Sequence, residues 1–336
     1  MSAQAFADRL LFASLEISCV VGIAWLLSRV AHAAPASWKL WMWRAVSLKM
    51  LLSLLAVGFP LLQSSSGAGT GGAAALPLLP AIILAVYISG VVWALAGLVK
   101  QVLLARQLVS EASPIKDHEL LWLLDSLSKK MGVQAPALLE GDVASPALVR
   151  GSGYAILLPR GCRGSLPPDQ LRMVLAHELA HFRGRDLVWG WLNALAGVAF
   201  FFHPVQWLAS REQALTQEAA RDREALDNVT ASPANYALLL VRLCSGGENQ
   251  SRIQVAALGA SASFATVKRR IELLRAPRRG MAAVVLSALC LTVATGQMLL
   301  SITPRPLPEV PTGTEQFSAE PARGAAVFSP LAMPGR

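Results

Sequence analysis

The sequence predicts a mainly α membrane protein: four transmembrane helices, with a cytoplasmic α+β domain inserted between the third and fourth. Three observations carry this reading. The chain has 336 residues, of which 54% are hydrophobic and only 15% charged, too apolar for an ordinary soluble domain. Four runs, at 10–28, 45–63, 77–99 and 281–302, are almost free of charge, and each is long enough to cross a hydrocarbon core of about 30 Å. The basic residues gather beside these runs, as a topology signal would.

The first run carries Glu16, read as lying near the interface or facing a helix partner. Ala31-His32-Ala33-Ala34 offers a cleavage-like site, but the length of the run and the acidic Asp8 and Glu16 favour a span over a signal peptide. Arg29, Lys39, Arg44 and Lys49 make the following connection positive, and no charge then appears from Met50 to Val99. An uncharged Ser/Gly/Ala turn at 63–75 separates the second and third spans. Lys100, Arg106 and Lys116 follow the third; Lys268, Arg269, Arg270, Arg275, Arg278 and Arg279 precede the fourth. The positive-inside rule then places both termini outside and the connecting region in the cytoplasm. The domain map is a three-helix region at 1–104, a cytoplasmic domain at 105–280, the fourth span at 281–302 and a disordered, Pro-rich extracytoplasmic tail at 303–336. The net charge of +9 is largely this topology signal, so direct nucleic-acid binding is not expected. The four cysteines are scattered, with no CxxC pair, which indicates neither a disulfide framework nor a cysteine metal site.

Within the cytoplasmic region a helix is expected at 115–131, started by Ser113-Pro114, with Leu120, Leu121, Leu123, Leu124, Leu127 and Met131 on one face. Short strands follow at 137–139, 147–149 and 154–159. The strand before the next helix is read as an edge, able to pair with an extended peptide. Ser165-Leu166-Pro167-Pro168-Asp169 opens that helix, and Gly184 ends it. The apolar stretch 187–209 is long enough to span, but a crossing would separate the polar segments on either side. His203-Pro204 breaks it, so it is read as a membrane-associated hairpin, re-entrant or interfacial. A helix at 211–226, another from Ser232-Pro233, an exposed loop at 246–262 and a basic helix at 267–274 complete the region.

The chemistry lies in His177-Glu178-Leu179-Ala180-His181. On a helix, a spacing of four puts both imidazoles on one face, where they can share one metal ion. Zinc suits neutral imidazole, and a catalytic zinc keeps a position open for water. Glu178 can reach that water as general base. Downstream, Glu218 and Asp222 are also four apart. Glu218 is assigned as third ligand, with Asp186, Glu212 and Glu224 as the other acidic candidates. Asp222 becomes the acceptor that orients a ligand histidine. His203 and Tyr154 are candidates for contact with an oxyanion or substrate.

Four spans with HELAHFRGRD, then FFFHPVQWL, then ExxxD between the third and fourth resemble the BlaR/MecR-type family of integral-membrane zinc peptidases. The LLPRG stretch at 157–161 and YALLLVRL at 236–243 add to the likeness, which covers about residues 5–300. The resemblance implies a gluzincin-like domain, one Zn²⁺ per chain held by His177, His181 and Glu218, and Glu178 as base. In the family's sensory members, capture of a ligand outside leads to self-cleavage or loss of a DNA-binding repressor inside, and so to antibiotic-resistance gene expression. Two departures stand out. Arg221 occupies a place where many relatives carry cysteine, and the 34 residues from Thr303 to Arg336 are too few for a penicillin-binding sensor domain.

The expectation is therefore a zinc endopeptidase in the inner (plasma) membrane. Its partners are the lipid bilayer and a protein substrate, such as a cytoplasmic transcriptional repressor, with a homodimer as one candidate assembly. Self-cleavage would be sought in the 246–264 loop. Two other readings are an HtpX-like quality-control protease, which shares HExxH and ExxxD, and a non-catalytic signalling scaffold stabilised by zinc.

Overall fold

A computed structural model describes residues 3–31, 34–63, 78–245 and 264–275. The turn after Gln63, most of the 246–264 loop, the 281–302 span and the tail lie outside the described residues.

Three long helices come first: α1 (Ala3–Val30), α2 (Ala36–Gln63) and α3 (Leu78–Glu111). Among the described residues, two helices are apolar and long enough to cross a membrane. They are Phe6–Val30 of α1, with mean hydropathy 2.2, and α3, with mean hydropathy 2.4. α2 corrects one expectation. Lys39, Arg44 and Lys49 are not in a loop but on the helix, and all three are buried. Lys49 pairs with Glu16 of α1, and both meet Ser53. Glu16 thus faces a helix partner, and part of the basic stretch serves internal pairing instead of lining a loop.

The next elements are β1 (Ser113–Pro114), α4 (His118–Met131), β2 (Ala137–Gly141), β3 (Ala147–Arg150) and β4 (Tyr154–Pro159). Ser113-Pro114 does not start the helix. It pairs antiparallel with Glu140 and Leu139, and Asp117 caps α4 by accepting from the Glu119 and Leu120 amides. The sheet order is β1-β2-β4-β3, with β2 and β4 parallel and β3 and β4 antiparallel. β4 is therefore central, not an edge. Its unbroken Ala155-Ile156-Leu157-Leu158 run is buried on both faces, the pattern of an interior strand. The edge beside it is β3.

A short turn α5 (Cys162–Ser165) leads into α6 (Pro168–Arg183). Then come α7 (Asp186–Ala199), α8 (Pro204–Asn228), α9 (Pro233–Ser245) and α10 (Phe264–Arg275). α7 and α8 form the hairpin expected at 187–209. His203-Pro204 acts as expected, ending one segment and opening the next: proline sits at the first turn of α8, where its missing N–H costs nothing. α8 then runs on without interruption through Glu218, so the hairpin arm and the expected 211–226 helix are one element.

The core has two parts. Leu124, Leu127, Ile156, Leu175, Leu179, Tyr236 and Val267 join α4, the sheet, α6, α9 and α10. Ile17, Val21, Trp43, Met50, Ala199 and Phe200 join α1, α2 and α7. α8 contributes Ala209 to the second and Ala225 to the first, so one rigid helix links both. The hairpin tip reaches the middle of the long helices. Phe201 fills the space that a side chain at Gly90 of α3 would need, the nearest ring atom being 1.9 Å from a Cβ placed there. The Tyr87 hydroxyl donates to Ala199 O at 3.1 Å.

Candidate metal centre

α6 and α8 carry the three converging donors. His177 and His181 lie one turn apart on α6, with Nε2 atoms 3.1 Å apart. Glu218 of α8 places Oε2 3.5 Å from His177 Nε2 and Oε1 3.6 Å from His181 Nε2. Among the described residues these three form the cluster able to hold a metal ion. Donors about 2.0–2.1 Å from a tetrahedral ion stand roughly 3.4 Å from one another. The observed separations fit that spacing, and two nitrogens with one carboxylate fit zinc chemistry.

Each imidazole is held from behind by its own carboxylate. His177 Nδ1 lies 3.1 Å from Asp222 Oδ1 and 3.1 Å from the Tyr236 hydroxyl, which itself donates to Asp222 at 3.0 Å. Arg270 of α10 grips Asp222 through Nε at 2.7 Å and Nη2 at 2.6 Å. His181 Nδ1 lies 2.7 Å from Asp186 Oδ2. Arg221 grips Asp186 through Nε at 2.7 Å and Nη2 at 2.9 Å, and Arg44 of α2 adds a third bond at 2.6 Å. Carboxylates only accept, so each Nδ1 carries a proton and each Nε2 is turned to the centre.

Asp222 stands where the sequence placed it. Asp186, held there as an alternative ligand, instead orients His181. The turn that brings it back is Gly184-Arg185: a Cβ at Gly184 would lie 2.0 Å from the Arg221 guanidinium, and Arg185 is left-handed at φ 52°. The other acidic candidates are engaged elsewhere, Glu212 with Arg269 and Arg29, Glu224 with Arg183 and Arg221. Glu178 is buried on α6. His203 is not at the centre. It lies 15 residues before Glu218 on α8, roughly 22 Å along the helix axis. There it caps the Val205 amide and faces Ser18 of α1. Tyr154 begins β4, its ring 4.9 Å from that of Phe182, the residue after His181. Arg44, Arg221, Arg270 and Tyr236 are the participants that sequence reasoning missed. Their only signal is spacing: Arg221 adjoins Asp222, and Arg270 sits in a basic run read as topology.

The charges are tuned together. Burial alone would lower the His177 imidazole; its bonds to Asp222 and Glu218 and their negative charge outweigh this and raise it from 6.5 to about 10. Loss of solvent would raise Glu218, but the His177 bond and the charges of His181, Arg270 and His177 hold it well below the usual carboxylate range. Burial likewise opposes Asp222, and Arg270 with His177 keeps it low and ionised.

Two predictions follow from this geometry. With a pKa of about 10, metal-free His177 is protonated at pH 7, so a zinc ion taking up this site would have to displace that proton. Calorimetry in buffers of different ionisation enthalpy should detect about one proton released per zinc at pH 7. Affinity should rise with pH through neutrality and level off as pH passes the His177 pKa. No released proton would refute the charged imidazole. Second, Asp186→Asn removes the anchor of His181 while leaving all three donors. Zinc affinity should fall about 10- to 100-fold, measured by competition with a chelator; an unchanged affinity would show that Asp186 does not orient the ligand.

A mostly helical protein with a small sheet, apolar helices and a His/His/Glu centre on two crossing helices is the class so defined. The family model described as BlaR1 peptidase M56 matches residues 74–274, and the chain belongs to that family. Regulatory protein BlaR1 of Bacillus licheniformis is 24% identical over 160 residues, covering 47% of this chain and 26% of that protein. A protease HtpX homolog of Sulfurihydrogenibium sp. (strain YO3AOP1) is 30% identical over 109 residues, 29% of this chain and 36% of the relative. Another, of Aquifex aeolicus (strain VF5), is 31% identical over 105 residues, 29% of this chain and 35% of the relative. The matches thus span a quarter to about a third of these relatives' own lengths.

Proposed function

We propose that this chain is a membrane-embedded zinc endopeptidase cutting peptide bonds on the cytoplasmic side, in signal transduction, by self-cleavage or by inactivating a transcriptional repressor. The observation that carries the activity is the convergence of two His Nε2 atoms and the Glu218 carboxylate, each imidazole held from behind by a carboxylate, with Glu178 beside the first ligand. His177, His181 and Glu218 would hold one zinc, which would supply Lewis acidity toward water and a carbonyl oxygen. Glu178 takes the proton of the attacking water at its carboxylate as the new C–O bond forms. It returns that proton to the departing nitrogen as the C–N bond breaks. The outer edge of β3, not β4, is the strand against which an extended substrate would pair.

The topology proposed is three spans from α1 to α3 and a fourth at 281–302, with both termini outside. The length and apolar character of α1 and α3, with mean hydropathies of 2.2 and 2.4, support it. So does the hairpin tip, which meets α3 at Gly90 and α1 through Ser18; this favours a re-entrant α7–α8 over one lying on the surface. Relatives named as HtpX homologues support a second reading, housekeeping removal of damaged membrane proteins. Proteomics of a deletion strain separates the two. One repressor persisting favours signalling, many accumulating membrane fragments favour quality control, and no proteolytic difference, with none in purified protein supplied with zinc, overturns both.

A further inference from the structure

We propose that the chain binds a phosphate-bearing anion in a cavity between the start of α2 and the α6–α7 turn, one carboxylate away from His181. The cavity measures about 420 Å³ and is lined by Arg44, Arg183, Arg185 and Arg221, with Trp41 and Trp189 as walls. Four guanidiniums face two carboxylates here, Glu224 on the wall and Asp186 behind it. Cationic charge is therefore in excess.

Arg44 marks the binding point. Its side chain is 2% exposed, and its guanidinium lies 5.1 Å from the ring centres of both Trp41 and Trp189. Nη2 bonds Asp186, but Nε is buried with no acceptor among the described residues. A buried, charged donor without an acceptor is costly, and the residue that carries it lines the cavity. Arginine's planar fork favours phosphate oxygens. Arg183 and Arg185 are exposed on the rim, placed to neutralise the remaining charge. The indole walls suit the junction between a headgroup and its apolar stem, because tryptophan concentrates at that level of a bilayer.

The shared chemistry is a phosphate group, from an anionic phospholipid headgroup or from free phosphate. Only the choice of source draws on the membrane topology; the phosphate contact stands on the cavity. Arg44 and Arg221 also hold Asp186, and Asp186 holds His181. The anion would thus touch the same arginines that fix a metal ligand.

The test uses the full chain in neutral detergent. It is titrated with short-chain phosphatidylglycerol, phosphatidylcholine or inorganic phosphate, and binding is read by native mass spectrometry and tryptophan fluorescence. Two double variants are compared, Arg183→Gln with Arg185→Gln at the rim, and Lys116→Gln with Lys129→Gln, which removes equal charge elsewhere. Phosphatidylglycerol bound by the wild type, weakened about tenfold or more by the rim variant and unchanged in the lysine variant, supports the lipid source. The same pattern with inorganic phosphate alone supports a free anion. Equal weakening in both variants, binding insensitive to the rim variant, or no binding of any of the three overturns the site. Circular dichroism and zinc content of each variant keep misfolding apart from loss of the anion site.

Discussion

Glu178→Gln is expected to retain zinc at wild-type stoichiometry while lowering peptide cleavage by about 10²–10⁴-fold, the range for removing a general base. Glutamine has nearly the same volume, so the buried side chain on α6 is replaced without a cavity. It is not one of the three converging donors, so metal affinity should be untouched. Its neighbours His177 and His181 are each fixed by an independent carboxylate, so their orientation should survive. The measurement is fragment formation by C-terminally tagged protein in membranes, beside zinc content by mass spectrometry. Full cleavage in the variant would remove Glu178 from the mechanism. Cleavage and zinc lost together would make it a structural residue instead of a base.

What could be read from the chain depended on how local the signal was. The spacing of four in HELAH and in ExxxD needs only helical geometry, and both helices form as that spacing implies. The orienting role of Asp186 is not local in this way. It depends on a left-handed Arg185 and on Gly184 tucked beneath the guanidinium of Arg221, three residues after Glu218 in the ExxxD half of the site, a conformation that the residue type does not announce. Arg44 was more deeply concealed. In a basic stretch beside an apolar run, positive charge reads as orientation relative to the membrane, yet this side chain is buried against Asp186. Burial of that kind is a property of the partner helix, not of the sequence around residue 44. β4 was legible as a strand but not as the central one, since its pairing with both β2 and β3 is decided by the topology of the sheet and not by the pattern of the strand itself. His203 shows the opposite error. A histidine in an apolar segment invites a chemical role, whereas its position before Pro204 makes it the residue that turns the chain and caps α8.

Glu218→Gln is expected to lower zinc affinity by about 100-fold or more, beyond the effect of removing an orienting carboxylate such as Asp186. Three effects act in one direction. The donor set loses its only anionic member, and a neutral amide oxygen is a poor replacement for carboxylate at zinc. Arg270 loses the Glu218 contact at 3.3 Å and remains beside the site as a cation held by Asp222. The imidazole of His177 loses one of the two partners that raise it, which lessens proton competition but does not restore a ligand. Glu224→Gln on the same helix is the control: it contacts Arg183 and Arg221, not the histidines, and should leave zinc affinity within a few-fold of wild type. Competition with a chromophoric chelator at pH 7 measures both variants. Cobalt substitution adds a second reading, because loss of a ligand from a four-coordinate site collapses its intense visible absorption. If Glu218→Gln keeps full zinc affinity and an unchanged cobalt spectrum, the third ligand lies elsewhere; if Glu224→Gln is the weaker binder, the assignment between the two carboxylates on α8 is reversed.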